Sequence, residues 1–322
     1  MPALAKMTLK YGHVGPPFHG QTKGADAFAK YVAEKTGGEI EIKTFPMGQL
    51  GPERSLAEQV QAGTLEMATV STSVLSNFAP EVAVMDLPFA FPDRKTAYAV
   101  IDDPEWQKAI FSKLAPKGFV AVGWTENEFR DVNSRKGPVK LPSDLKGVKI
   151  RVMNSPVAMD TFREFGASPV GIPFPELYNA LQQGVIDAQE NPLFTSILIK
   201  ALEVAKYVTK TEHQVTECVT MVTPAVWEQL TPEQQEIFRQ AGALQIKVNR
   251  EVNKAAQEKL PKYGISMEEY CQKNGVRLTY LTPEERGAFR QAVQPVWQKY
   301  RPLVGPELYD LFMAKIKEHS GH

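Results

Sequence analysis

The sequence predicts an α/β protein of two lobes, each a mostly parallel sheet flanked by helices, with one long helix crossing both. Short β-like runs alternate with amphipathic helices over the first two thirds of the chain, a pattern typical of parallel sheets. The 322 residues are about twice the length expected of one domain. From Pro232 towards Leu260 a single helical pattern rises about 1.5 Å per residue, enough to span two lobes.

The first part of the chain predicts strands over 8–14, 39–45 and 65–71, with a helix over 23–35. Gly51-Pro52-Glu53 then begins a second helix, since proline suits the first turn and an acid suits the positive end of the helix dipole. Gly63 ends that helix. We expect helices over 94–101 and 105–114 and strands over 119–124, 128–134 and 149–152 to follow.

A similar junction occurs again further along the chain. Pro175-Glu176 begins a helix that ends at Gly184 and leads into a strand over 185–190. At an offset of 121 residues, 56–66 and 177–187 share leucine, glutamine and glycine positions. Two lobes built alike would produce this match, and so would any helix-glycine-strand junction.

The C-terminal third predicts the long helix, a short helix over 267–273, a strand over 276–280 and outer helices over 283–300 and 306–318. No low-complexity linker interrupts the chain, so several ordered crossings should join the lobes around a ligand cleft. We assign 1–125 with about 217–250 to lobe 1, and 126–216 with about 251–322 to lobe 2.

Composition excludes several classes of function. Lysine plus arginine equals aspartate plus glutamate at 37 each, so no global field attracts nucleic acid or an acidic membrane surface. No apolar run approaches the ~20 residues of a transmembrane helix. Ala3-Leu4-Ala5 resembles the small-x-small end of a signal peptide, which predicts an exported protein whose leader is absent from this chain.

Motifs that carry their own chemistry are missing from the sequence. It contains no phosphate-binding or dinucleotide-binding glycine loop, no HExxH, no GxSxG and no EF-hand loop. The histidines lack metal-ligand spacing except for the terminal pair His319 and His322, so we expect no metal, no cofactor and no catalytic residue. Cys218 and Cys271 leave one disulfide or two buried thiols open, with thiols favoured.

A local excess of positive charge is the main positive signal. Residues 130–151 hold seven basic side chains against two acidic ones. Most such clusters are solvated faces. Strand alternation in 149–152, however, turns Arg151 away from Ile150 and Val152, near the carboxyl end of its strand. In open α/β sheets ligands bind beyond the carboxyl ends of strands. A guanidinium group can form two parallel hydrogen bonds with a carboxylate, so the position of Arg151 predicts that the protein binds an anion. Asn191 lies at a comparable strand end and could donate and accept, or simply form a turn.

Together, residues 45–51, 87–89, 124–130, 149–154 and 173–192 resemble the extracytoplasmic solute-binding subunits of tripartite ATP-independent periplasmic (TRAP) transporters, the DctP-like family. The similarity extends over nearly the whole chain, including His213 and the long helix. It implies a two-lobed, periplasmic-binding-protein-like fold that closes on a small organic anion and delivers it to a TRAP membrane permease. The protein would act in the periplasm, as a monomer.

The resemblance also implies roles for individual residues. Arg151 would bind the ligand carboxylate, with Asn191 as a polar partner, Arg130 as a second cationic contact and Phe174 in the pocket wall. The opposite lobe would contribute the remaining ligand contacts, which fall on His13 and Val14, on Glu53, and on Ser71 and Ser73. Glu128 stands where relatives often have glycine, which puts the placement of Arg130 in question. His213, Trp124 and Phe89 are expected to be structural.

The competing hypothesis is an enzyme that acts on an anionic substrate in a two-lobed cleft. It needs a base within reach of the ligand, for which Glu53, Glu190 and His13 are the candidates. Two arginines near the cleft favour a ligand with a second polar or anionic end. The sequence leaves C4-dicarboxylates, sugar acids, keto or hydroxy acids and sulfonates all possible.

Overall fold

A computed structural model describes residues 6–321 and confirms the α/β class, with two sheets flanked by helices. The Ala3-Leu4-Ala5 segment and His322 lie outside the described residues. Within the described part, none of the helices is long and apolar enough to span a bilayer.

The strands of residues 6–321 form one five-stranded and one six-stranded sheet. In chain order they are β1 Met7–Gly12, β2 Ile40–Phe45, β3 Met67–Ser71, β4 Val120–Phe129, β5 Asp131–Ser134, β6 Lys149–Val152, β7 Ser168–Gly171, β8 Ala188–Asn191, β9 Tyr207–Lys210, β10 Val215–Val222 and β11 Arg277–Tyr280. Sheet 1 has the order β2-β1-β3-β10-β4, and sheet 2 has the order β11-β9-β5-β8-β6-β7.

The α-helices flank these sheets and connect their strands. They are α1 Gly20–Lys35, α2 Glu53–Gln61, α3 Thr72–Leu75, α4 Arg94–Asp102, α5 Pro104–Leu114, α6 Pro156–Glu164, α7 Leu177–Gln182, α8 Leu193–Leu198, α9 Pro224–Trp227, α10 Pro232–Glu258, α11 Met267–Lys273, α12 Pro283–Ala292, α13 Gln294–Val304 and α14 Pro306–Ser320.

Two strand crossings connect the sheets and explain why both are mixed. Strand β4 of sheet 1 continues past Arg130 directly into β5 of sheet 2, and β9 of sheet 2 leads through residues 211–214 into β10 of sheet 1. β10 pairs antiparallel with β3 and β4, and β5 pairs antiparallel with β8 and β9, whereas the other pairings are parallel. The two strands that enter from the other sheet, β5 and β10, are therefore antiparallel to the strands beside them.

Most elements predicted from periodicity are present, with shifted ends. The second helix-glycine-strand unit, α7 to β8, repeats α2 to β3, and both Gly63 and Gly184 adopt the left-handed conformation that ends a helix. Strands β7, β9 and β10 and helices α6 and α8 were not predicted. β10 is buried along its whole length, so it lacks the alternation by which a half-buried strand is recognised.

The long helix α10 begins at a capping box in which Thr231 accepts from the Gln234 N–H at 3.2 Å and the Gln234 side chain accepts from the Thr231 N–H at 3.0 Å. It packs on α1 and β4. A Cβ added at Gly242 would lie 2.0 Å from the Val122 carbonyl oxygen, so only glycine permits this close approach. Asn249 Oδ1 accepts from the backbone N–H of Glu126 at 2.8 Å, and Asn249 Nδ2 donates to the Glu126 carbonyl oxygen at 3.1 Å. These two hydrogen bonds satisfy the backbone of β4 at that edge of the sheet.

The C-terminal helices differ from the predicted pair. The pattern over 283–300 is divided into α12 and α13 at Val293, because Pro295 occupies the first turn of a new helix. Helix α13 packs against both α6 and residues 80–86, whereas α14 packs against α4 and α5. The last helix therefore contacts elements that lie within the range assigned to lobe 1.

Buried carboxyl groups accumulate beside the strand crossings. Glu217 of β10 lies directly opposite Glu126 of β4 in the antiparallel register, and both side chains are fully buried. Tyr98 donates to Glu126 at 2.5 Å, and Arg250 approaches the same carboxylate at 3.8 Å. Within residues 6–321, neither carboxylate oxygen of Glu217 has a hydrogen-bond partner.

The two cysteines are separate buried thiols. Cys218 lies in β10 and Cys271 in α11, and neither forms a disulfide. Burial raises the pKa of both thiols, so they are protonated at neutral pH.

Candidate ligand-binding site

A cavity lies between the two sheets; its empty space, including open solvent at the mouth, is about 440 Å³. From the side of sheet 1 come Glu53, at the start of α2, and Ser71, at the end of β3, while sheet 2 contributes Arg151, Asn191 and neighbouring residues. The cavity therefore lies beyond the carboxyl ends of strands from both sheets, as α/β binding sites do.

Arg151 presents a buried guanidinium to this cavity. The side chain is 2% exposed, and its Nε donates to the Ile172 carbonyl at 2.8 Å, which fixes the orientation of the planar group. Among the described residues no carboxylate lies within ion-pair distance of it, and Nη1 is buried without a hydrogen-bond partner. Burial lowers the pKa of Arg151 to about 10, so the group stays charged at neutral pH. An unpaired buried cation of this kind needs an anion.

Arg130 lines the same cavity, but its charge is already paired. Its guanidinium binds the Glu190 carboxylate through Nε and through Nη2, the latter at 2.9 Å, and Nη1 donates to Thr216 at 3.2 Å. Burial opposes ionisation of Glu190, but the Arg130 charge outweighs it and lowers the pKa of that carboxyl to about 2. Glu128, whose charge put Arg130 in question, points away and pairs with Arg94 at 2.8 Å.

Asn191 is held by its neighbours with one donor unused. Its Oδ1 accepts from Arg130 Nη2 at 3.1 Å, and its Nδ2 donates to Gln189 at 2.6 Å. An amide carries two N–H bonds, so one remains for a ligand. The structure brings Asn191 to the cavity together with Arg151 and Arg130, as the sequence predicted.

Glu53 faces these cations from the opposite side. Its two oxygens accept from the backbone N–H of Ser71 at 2.8 Å and from the Ser71 hydroxyl at 3.0 Å. Burial raises the pKa of Glu53, against these hydrogen bonds and the charges of Arg151 and Arg130. The carboxylate is thus oriented as a hydrogen-bond acceptor within the electrostatic reach of Arg151.

Two predicted contacts do not line the cavity. Ser73 is fully buried and donates to Asp86 at 2.9 Å, in a cluster where Thr72 and Gln214 bind the same oxygen. His13 lies behind the wall, and its Nδ1 accepts from the Gly15 N–H at 3.2 Å. Both were expected because the positions that line the cleft in relatives fall on them, and the resemblance alone does not say which way each side chain points in this chain.

Several cavity residues escaped the sequence reasoning. His19, Asn127 and Thr195 line the cavity, although they come from the start of α1, from β4 and from α8. The histidine is the N-cap of α1, a role in which its side chain accepts from the Gln21 N–H. Histidine is not among the usual N-cap residues, so the N-cap signal in the sequence does not find it.

The apolar side of the cavity includes Phe174 and Met153. Phe174 is half-buried and lies in the wall as predicted, on the short turn before α7. Such a wall beside a guanidinium suits the carbon skeleton of an organic acid. His213 and Trp124, by contrast, are structural: His213 contacts Glu190 at 3.4 Å, and Trp124 packs on Phe111.

The chain is similar to known proteins in sequence and in fold. The model of the bacterial extracellular solute-binding protein family 7 (DctP) matches residues 11–302. The 2,3-diketo-L-gulonate-binding periplasmic protein of Escherichia coli K12 is 33% identical over 73% of this chain and 71% of its own length. A TRAP periplasmic solute-binding protein from Polaromonas sp. JS666, bound to D-erythronate, is 32% identical, covers 96% of this chain and 99% of its own, and superposes with a TM-score of 0.87. A counterpart from Sulfurospirillum deleyianum, with bound succinate, is 31% identical with a TM-score of 0.88 over 96% of this chain and 99% of its own.

Proposed function

Because the chain belongs to the bacterial extracellular solute-binding protein family 7, the DctP family, we propose that it captures a small hydroxy or sugar acid between its lobes for a TRAP-type membrane permease. Like its structural neighbours, it is a solute-binding protein and not an enzyme. The alternative of catalysis in the cleft is therefore wrong.

The observation that carries the proposal is the unpaired guanidinium of Arg151 in the cavity. A ligand carboxylate would accept two parallel hydrogen bonds from this fork and supply the missing negative charge. Asn191, with one unused N–H, lies on the same side and supports the same group. Arg130 positions Asn191 and offers no free charge.

The balance of charge favours one carboxylate over two. A second polar or anionic end was expected because two arginines lie near the cleft, and the pairing of Arg130 with Glu190 removes the argument for an anionic one. The remaining charged group is Glu53, which would repel a second carboxylate and accept a hydrogen bond from a hydroxyl group. D-erythronate, the ligand of the Polaromonas relative, is an acid of this kind.

Capture would proceed by closure of two lobes. We propose that lobe 1 is built on sheet 1 and lobe 2 on sheet 2, with the β4–β5 and β9–β10 crossings as the hinge. A ligand shifts an open-closed equilibrium only through its difference in affinity for the two states. Its carboxylate would bind Arg151 in either state, and its hydroxyl groups would reach Glu53 and Ser71 only on closure.

The proposal is tested by calorimetric titration with D-erythronate, 2,3-diketo-L-gulonate and succinate. We expect at least one of the first two to bind more tightly than succinate. Arg151→Gln should weaken that binding by about 2 to 5 kcal/mol, the range for removing one partner of a buried charged pair. Arg151→Lys keeps the charge but loses the fork, so its affinity should lie between those of the wild type and Arg151→Gln. Arg163→Gln, at an arginine whose side chain is 57% exposed, is the matched control. Wild-type affinity in Arg151→Gln would refute the assignment.

Partner and location follow the family and need their own tests. We propose that the protein is exported and acts as a monomer, since the family is extracellular and the large exposed apolar side chains are scattered. Light scattering of the purified protein measures the mass, and fractionation of the native host locates the protein. A dimer mass or a cytoplasmic location would contradict these points.

A further inference from the structure

His19 has a fixed pattern of protonation. Its Nδ1 accepts the backbone N–H of Gln21 at 3.1 Å, because the imidazole is the N-cap of α1. A ring nitrogen that accepts carries no proton, so the neutral imidazole must have its hydrogen on Nε2. Burial lowers the pKa of His19 to about 4, so the ring is neutral at pH 7.

The Nε2–H group of His19 points to Thr195 on the other side of the cleft. The distance from Nε2 to the Thr195 hydroxyl oxygen is 3.4 Å, and the imidazole stacks on Phe194 with ring centroids 5.4 Å apart. His19 is 2% exposed, and Thr195 is also buried. Since His19 belongs to α1 and Thr195 to α8, this contact joins elements that flank different sheets.

The direction of the first hydrogen bond sets the direction of the next. A hydroxyl that accepts from His19 must donate its own hydrogen elsewhere, and Asn127 Oδ1 lies 2.7 Å from the Thr195 oxygen. If the amide were turned over, Thr195 would face two donors and its hydrogen would have no acceptor. The carboxamide of Asn127 is therefore held with its oxygen towards Thr195 and its Nδ2 away from it.

We propose that Asn127 is a specificity-determining contact, whose Nδ2 group donates to a hydroxyl or keto oxygen on the carbon chain of the ligand. Asn127 lines the cavity, and none of the residues 6–321 accepts from its Nδ2. Its position complements Glu53: the glutamate accepts a hydrogen bond from the ligand chain, and the asparagine donates one. His19 and Thr195 are positioning residues that set the orientation of the amide. This inference rests on the proposed capture of a hydroxy acid.

This relay of hydrogen bonds, from His19 through Thr195 to Asn127, also connects recognition of the ligand to closure of the lobes. The orientation of Asn127 depends on a hydrogen bond between α1 and α8, which exists only while these two helices are in contact. A ligand lacking the matching oxygen would leave the Nδ2 group buried and unsatisfied in the closed protein, and that penalty disfavours closure. The site would thus select against simple fatty acids that satisfy Arg151 alone.

The test measures affinities for D-erythronate and for butanoate, which has the same chain length and no hydroxyl groups. We expect Asn127→Leu and Thr195→Val to weaken D-erythronate binding about tenfold while changing butanoate binding less than about twofold. Thr195→Ser keeps the hydroxyl and should retain the wild-type preference. Asn274→Leu, at an exposed asparagine in a distant helix cap, is the matched control.

A second measurement does not depend on affinity. Nitrogen-15 NMR of labelled protein at pH 7 should show His19 as the neutral tautomer with its proton on Nε2. A proton on Nδ1, or equal losses for the two acids in Asn127→Leu, would overturn the inference. If wild-type protein binds none of the acids offered, the proposed function fails as well, whereas tight D-erythronate binding with an unchanged preference in both variants refutes the relay alone.

Discussion

Replacing Glu217 by glutamine should remove a loss of stability that the wild type undergoes as the pH rises above about 4.5, because this carboxyl is buried without a partner. Neither of its oxygens has a hydrogen-bond partner in the described part of the chain, and Glu126 lies directly opposite. Burial, and then the charges of Glu126 and Asp86, raise the pKa of Glu217 well above 4.5. Burial also raises the pKa of Glu126 to about 7, and Arg250 is the nearest cation to the pair.

The expected effect follows from counting protons. Between the unfolded pKa of about 4.5 and the raised folded pKa, the native state holds one proton that the unfolded state has released. The free energy of unfolding then falls by about 1.4 kcal/mol for each pH unit. Between these two pKa values the wild type should therefore lose stability relative to Glu217→Gln as the pH rises, because the amide of the variant cannot ionise. Below pH 4.5 the two proteins should have similar pH dependence.

Urea unfolding monitored by tryptophan fluorescence at pH 5, 6, 7 and 8 measures this difference. The contribution of Glu126 is present in both proteins, so most of it cancels. Glu228→Gln, at an exposed position, serves as the control and should follow the wild type at every pH. A constant difference between wild type and Glu217→Gln over this range would show that Glu217 is ionised in the folded protein and would refute the reasoning.

Three further changes have defined outcomes. Gly242→Ala places a methyl group against the backbone of β4 and should lower the free energy of unfolding by about 1–3 kcal/mol or more. Gly287→Ala, in open space on α12, should raise the free energy of unfolding by up to about 1 kcal/mol. Urea unfolding midpoints of the two variants and the wild type measure both changes. Glu190→Gln leaves Arg130 buried without a counter-charge and should lower the free energy of unfolding by about 3–5 kcal/mol at pH 7. Since the pKa of Glu190 is lowered in the folded protein, the wild type should lose this advantage over the variant as the pH falls below 4.5 towards 2. Cys218 should resist iodoacetamide at pH 8 in the folded protein and react on unfolding, as counted by mass spectrometry; rapid labelling without unfolding would contradict the burial of its thiol.

Local patterns in the sequence were sufficient for much of the fold and for the central cation. Arg151 could be placed because alternation within one short strand decides which way its side chain points. The same reasoning found α2, α7 and the long helix, whose caps and glycines are signals within a few residues. Each of these inferences depends on neighbours in sequence.

The parts that failed depend on neighbours in space. Arg130 is neutralised by Glu190, which lies 60 residues away, and no local signal announces that pair. His13 was expected in the cleft and His19 was not, since the turn between β1 and α1 decides which imidazole faces the cavity. Asn127 lies in β4, which continues from sheet 1 into β5 of sheet 2, so the direction of its side chain depends on both sheets.

The position of β10 in sheet 1 affects how the molecule can be made. This strand lies between β3 and β4, yet it follows both of them in the chain after all of β5–β9. When a ribosome has synthesised residues 1–214, strands β3 and β4 of sheet 1 still lack the strand that lies between them. The sheet can close only when residues 215–222 emerge, and such distant pairing is slow to form. Sheet 1 consequently cannot be completed until about two thirds of the chain has been synthesised.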